Sequence, residues 1–140
     1  MLQIKFNNCP NNIKQNSIDI FSKSLESQES KIRNKCCQRI EKISKILYQE
    51  ESFDKILINI KKLEKDTIPY IRTSLSNNII KISPFIGTKK TNENIFSIFL
   101  NIIKDENYDI RMILIKSLEL LNGKMNIDKI IQGIISSILY

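Results

Sequence analysis

Five charged residues in this chain keep a fixed interval. Arg33, Arg72 and Arg111 stand 39 residues apart, each directly after an isoleucine (Ile32, Ile71, Ile110), and Asp66 and Asp105 precede the second and third arginine by six. The chemistry open to such a set is recognition of charge by charge. A guanidinium is a planar fork that meets a carboxylate through two parallel hydrogen bonds, so each arginine can reach the aspartate of an adjoining repeat and build a ladder. An aspartate just before a helix also accepts backbone N–H groups at the helix start. Ser27 stands where the first repeat would carry its aspartate, so the ladder of Arg33, Arg72, Arg111, Asp66 and Asp105 lacks that rung.

Bond-making chemistry has little to work with. The chain holds no histidine, and its three glycines (Gly87, Gly123, Gly133) cannot form a phosphate-cradling loop. Glu50-Glu51 and Asp105-Glu106 are adjacent acids on expected turns or helix ends, where carboxylates are solvated and lack the raised pKa of a general acid. Cys9, Cys36 and Cys37 do not suit a disulfide framework, because vicinal cysteines seldom bridge and the count is odd. They are too few to hold zinc without histidine. The expectation is a non-enzyme with no cofactor, no metal and no small-molecule substrate.

The elements that position the charges follow from the same period. A repeat near 40 residues with two helices in each unit marks a helical solenoid, an all-α architecture here of about three and a half units. Residues 1–12, rich in Asn and containing Pro10, predict an irregular lead-in to a repeat domain over 13–140. Its units fall at about 13–50, 51–89, 90–123 and, in part, 124–140. In the first, Ile18, Phe21 and Leu25 share a helical face, Ser30 is a plausible N-cap, and Ile32, Cys36, Ile40, Ile43 and Leu47 follow inward. Cys36 occupies the register of Leu75 and Leu114 and reads as a small core residue.

In the second unit Ile56, Leu57, Ile60 and Leu63 point inward, Pro69 suits a first helical position, and Ile71, Leu75, Ile79 and Ile82 follow. Pro84 and Gly87 should kink and end that helix. In the third, Thr91 or Asn92 caps a helix bearing Ile95, Phe96, Phe99, Ile102 and Ile103. A second helix from about Tyr108 carries Ile110, Leu114, Leu118 and Leu121 and stops at Asn122-Gly123. The last begins with Asp128 and supplies Ile134, Ile135 and Ile138, with no partner helix behind it. Natural arrays close their ends with polar capping repeats. Marginal stability and an adhesive C-terminal edge are therefore expected.

The net charge of +7 and a pI near 9.3 suggest an acidic partner, but Ile, Lys and Asn dominate as an AT-rich genome would dictate. A nucleic-acid solenoid should repeat its cations in register. Lys35 instead projects onto Ser74 and Ile113, Arg39 onto Asn78 and Ser117, and Lys42 onto Lys81 and Leu120, so the charge reads as scattered and argues against nucleic acid. No apolar run approaches the roughly 20 residues that cross a bilayer. The start lacks a signal-peptide pattern, and a reducing cytoplasmic or nuclear setting is expected.

The repeats resemble HEAT repeats: a helix, a short turn containing Asp, then a helix opening on an aliphatic-Arg pair. More narrowly, ILINIKKLEKD (Ile56 to Asp66), IIKISPFIG (Ile79 to Gly87) and IFSIFLNIIKDENYDIR (Ile95 to Arg111) resemble the scaffolding (A) subunits of protein phosphatase 2A. The pairing of Ser83-Pro84 with Gly87, then Phe99-Leu100 and Lys104-Asp105-Glu106, carries the likeness, which covers about residues 17–139. The resemblance implies a right-handed α-α superhelix and a non-catalytic scaffold. It further implies that the turns bind a phosphatase regulatory subunit, while the catalytic subunit is a second partner. By that resemblance the contact residues are Glu26, Gln28 and Glu29, then Lys65, Asp66 and Thr67, then Lys104, Asp105, Glu106 and Asn107. The rivals are a basic helical-repeat module binding nucleic acid and a HEAT adaptor in nuclear transport.

Overall fold

The computed structural model describes residues 2–117 and 127–139, and among them there is helix and turn but no strand. A short helix α1 (Leu2–Asn7) precedes α2 (Asn11–Leu25) and α3 (Ser30–Leu47). Helix α4 (Phe53–Lys62) tightens into a 3-10 turn at Leu63–Lys65, and α5 (Pro69–Asn78) does the same at Ile79–Ile82. Then come α6 (Ser83–Lys90), a π turn (Thr91–Ile95), α7 (Phe96–Ile102), α8 (Tyr108–Lys116) and α9 (Ile127–Leu139).

The helices pack in two rows. In one, α3 lies on α5 and α5 on α8; in the other, α2 lies on α4, the end of α4 meets α7, and α7 meets α9. Cross-packing of α2 on α3 and of α7 on α8 joins the rows. Apolar side chains at helical spacing fill the seam. Ile40, Ile56, Ile60, Ile71, Leu75, Ile79, Phe99, Ile110 and Leu114 are each fully buried in one continuous cluster. Each such side chain stabilises by roughly 1.5–3 kcal/mol on full burial.

Several local details depart from the expectations. The lead-in is not wholly irregular: α1 packs on α3, and Phe6 rests half-buried against the core. Ile32 is 38% exposed where Ile71 and Ile110 are fully buried, because α3 covers the equivalent face of α5, and α5 that of α8. Ser30 is the first residue of α3, Glu29 stands at the cap, and no side chain caps this end. Cys37, at 0% exposure, is more deeply buried than Cys36. Burial first, then the neighbouring Cys36 and Asp66, pushes its thiol up to about 12, which leaves it unreactive.

Pro69 does take the first position of α5, and Pro84 sits in the first turn of α6 without kinking α5. The break falls at Gly87 (φ 78°, ψ 170°), a left-handed backbone that a side chain would strain. Helical winding then resumes straight into α7, so neither Thr91 nor Asn92 caps a helix. Thr91 is instead fully buried, and its hydroxyl has no partner among the described residues. Gly133 of α9 lies so close to Leu100 that a Cβ there would come within 2.5 Å of a leucine methyl. Leu118, Leu121 and Asn122-Gly123 lie outside the described residues, as do the side chains of Ile134 and Ile138. On α9, Ile131, Ile135 and Leu139 are exposed on one face.

Candidate functional site

Three inter-helix turns, at residues 26–29, 66–68 and 105–107, are built to one plan. Ser27 Oγ accepts the N–H of Glu29 (3.2 Å), Asp66 Oδ1 that of Ile68 (3.0 Å), and Asp105 Oδ1 that of Asn107 (2.9 Å). Such side-chain turns present the following helix start with a fixed entry angle. In the third, Asn107 is a true N-cap, its Oδ1 accepting the N–H of Asp109 at 2.9 Å.

Six residues on, each arginine folds back onto its own turn. Nη1 of Arg33 donates to the Ser27 carbonyl (2.7 Å), Nη1 of Arg72 to that of Asp66 (2.8 Å), and Nη1 of Arg111 to that of Asp105 (2.6 Å). The other edge of the fork reaches the next turn. Arg33 Nε and Nη2 donate to Asp66 Oδ2 and Oδ1 (2.7 and 3.1 Å), and Arg72 makes the same pair with Asp105 (2.7 and 3.0 Å). Arg111 meets no carboxylate among the described residues and lies 5.7 Å from the centroid of the Tyr108 ring.

These rungs are sequestered. The side chains of Asp66 and Asp105 are each 5% exposed, and those of Arg33 and Arg72 are 15% and 8%. Burial drives both carboxyl groups upward in pKa. The bonds from arginine and from the turn N–H, with the arginine charges, outweigh that and hold them below the usual carboxylate range. A charge pair this dry and this fully bonded is costly to break from one side.

A second row of polar contacts runs beside the first. Lys62 and Asn59 both donate to the Glu26 carboxylate, and Asn59 Nδ2 also reaches Ser22 Oγ at 2.8 Å. One unit along, Asn101 Nδ2 donates to Glu64 Oε1 at 2.7 Å, leaving the buried Oε2 without a partner among the described residues. Burial keeps the pKa of Glu64 raised in spite of Asn101 and of Lys61 and Lys65 nearby. Sequence reasoning missed this row. Lys62 and Asn101 keep the 39-residue interval, but Glu26 and Glu64 are 38 apart, because Lys65 intervenes before Asp66 where Glu26 adjoins Ser27 directly.

The turn residues named by resemblance separate into two groups. Asp66 and Asp105 face inward to arginine, and Asn107 is half-buried at its cap. Glu26, Gln28, Glu29, Lys65, Thr67, Lys104 and Glu106 are exposed, and together they make the outer ridge of the three turns. A shallow groove of ≈ 350 Å³ separates the second and third turns, walled by Lys65, Lys104 and Glu106 over the Arg72–Asp105 rung. Among the described residues no three His, Cys, Asp or Glu side chains gather as metal ligands. What the arrangement can do is hold charged groups in a fixed line against another surface.

Along one helix, the positive charge is not scattered. Lys31, Lys35, Arg39, Lys42 and Lys45 are all exposed on α3, spaced by three or four residues on its outer face. The cations run along a helix and not across the repeats, so projection through the 39-residue register passes over them.

No family model matches the chain. It is similar to the beta isoform of the 65 kDa regulatory A subunit of serine/threonine-protein phosphatase 2A from Homo sapiens, at 28% identity over 109 residues, which is 75% of this chain. The match spans only 18% of that much longer protein. It supports a distant, HEAT-like relationship to a regulatory subunit of a phosphatase. No helix among the described residues is long and apolar enough to cross a membrane.

Proposed function

We propose that this chain is a non-catalytic scaffold segment, a right-handed α-α superhelix of HEAT type with about three and a half units. In this reading its turn ridge docks the regulatory subunit of a protein phosphatase 2A-type complex, and the catalytic subunit is a further partner. The observation that carries the reading is the pair of Arg–Asp rungs. Arg33–Asp66 and Arg72–Asp105 tie three consecutive turns into one line while Lys65, Thr67, Lys104 and Glu106 stay exposed along it. A row of polar groups pre-ordered on rigid helices loses little freedom on binding, which favours a scaffold role. The similarity to a phosphatase A subunit supplies the class of partner.

The test is binding of the purified chain to recombinant phosphatase 2A-type regulatory and catalytic subunits, measured separately. The regulatory subunit is expected to bind, and Lys65→Glu/Lys104→Glu to weaken it by about tenfold, as loss of about 1.4 kcal/mol at a contact does. Failure of both subunits to bind the folded chain would overturn the reading.

A further inference from the structure

The cationic face of α3 borders an apolar groove, and together they define a second surface, apart from the turn ridge. Lys31, Lys35, Arg39, Lys42 and Lys45 extend over about 21 Å at the helical rise. None has a carboxylate oxygen within 4.0 Å among the described residues. Beside the first two of these cations, between α2 and α3, lies a groove of ≈ 480 Å³. Its floor is Ile20, Phe21, Ile32 and Cys36, and Lys31 and Lys35 stand along one wall. Ile20 is 60% exposed and Ile32 38%. An adjoining depression continues past Ile20 and Ile32 to Lys23. No carboxylate lines either hollow.

We propose that this surface binds an acidic amphipathic helix of a partner protein. Its apolar stripe would enter the groove against Ile20 and Ile32, and its flanking carboxylates would lie along the lysines of α3. Helices recognised in grooves use this division, with apolar anchors at i, i+3/i+4 and i+7 and a charged flank that sets orientation. The same cations would attract a nucleic acid, but the floor argues otherwise. Single strands bind through exposed aromatic rings on which bases stack, whereas here aliphatic groups dominate and the one ring, Phe21, is half-buried. The cations also thin out beyond α3: one and two units on, the register of Lys35 and Arg39 holds Ser74, Asn78, Ile113 and Ser117, and Lys81, in the turn after α5, alone repeats the charge of Lys42.

Fluorescence anisotropy of the 140-residue chain with three labelled probes tests this. They are a helical peptide of about four turns with Leu along one face and Glu on its flanks, its Leu→Ser version, and a single-stranded oligonucleotide of equal charge. The amphipathic peptide is expected to bind at least about tenfold more tightly than either other probe. Lys31→Glu/Lys35→Glu and, separately, Ile20→Asn/Ile32→Asn should each weaken it by about tenfold. Lys61→Glu/Lys116→Glu, which changes net charge equally at exposed sites elsewhere, should leave it within about twofold. Thermal melts by circular dichroism confirm that each variant is folded. Equal binding of the Leu→Ser peptide or the oligonucleotide, equal loss in the Lys61/Lys116 variant, or no binding of the amphipathic peptide would each overturn the proposal.

Discussion

Asp66 and Glu64 are two residues apart, both sequestered, and their acidities shift in opposite directions. Asp66 is gripped by two nitrogens of Arg33 and by the N–H of Ile68, and it is held below the usual carboxylate range. Glu64 receives one neutral donor, Asn101, and burial raises it. The rows they belong to link the same consecutive helix pairs. What separates them is completeness: a buried carboxylate stabilises only when its bonds replace the water it has lost. One row is a set of finished joints, and the other contains an unfinished one.

Cutting a finished joint should give the largest effect. Asp105→Ala takes the paired carboxylate from the mostly buried Arg72 guanidinium, leaving it the Asp66 carbonyl and the exposed Glu106 carboxylate at 3.4 Å, and removes the turn bond to Asn107, so a loss of about 3 kcal/mol is expected in urea unfolding. Arg72→Ala combined with Asp105→Ala should cost less than the sum of the single changes. Strict additivity in that cycle would mean the two side chains are not coupled.

Acid separates the rows next. Asp66 and Asp105 are depressed, so their contribution is complete above about pH 4 and is lost as pH falls through the folded values. Glu64 is raised, so its contribution is complete below about pH 4 and is lost as pH rises through its folded value. Stability measured from neutrality downward should therefore fall steeply below about pH 4, and the Asp66→Asn/Asp105→Asn variant should flatten that fall.

A smaller, opposite effect is expected at the unfinished joint. Glu64→Gln keeps the acceptor for Asn101 and removes the buried charge. It should stabilise the fold at pH 7, by an amount that shrinks as pH falls toward 4. A loss of stability at pH 7 would show that the carboxylate has a partner the geometry does not reveal. The smallest effect belongs to the first turn. Ser27 already makes the side-chain turn bond to Glu29, and no arginine of the described residues is placed to reach it from a preceding turn. Ser27→Asp should alter stability by no more than about 0.5 kcal/mol, checked by the same unfolding curve.

How much of this could be read from the sequence depends on whether partners share a register. The helical class and the inward faces of Ile56, Ile60, Ile71, Leu75, Phe99 and Ile110 follow from spacing alone, because burial repeats with the helix turn. The Arg–Asp contacts join residues that keep one interval, so they leave a trace in the sequence. The Glu26 and Glu64 contacts leave almost none, since one extra residue in the second turn moves the acids out of step. The α3 cations were hidden for a different reason: their regularity lies along a helix, three and four residues at a time. Winding through Thr91 into α7 depends on tertiary packing that buries Thr91, which overrides its capping tendency. The exposure of Ile32 depends on what lies beside α3 and is no property of its own segment.

Arg33 and Arg72 are each divided between two owners, one edge of the guanidinium plane held by its own turn and the other by the next. A lysine, with one nitrogen and no rigid plane, could not reproduce the paired bond to the carboxylate. Tension applied to one turn therefore passes through a rigid group into its neighbour, beside the path offered by the packed helices. A partner pulling at one point on the ridge would load the adjoining turns as well.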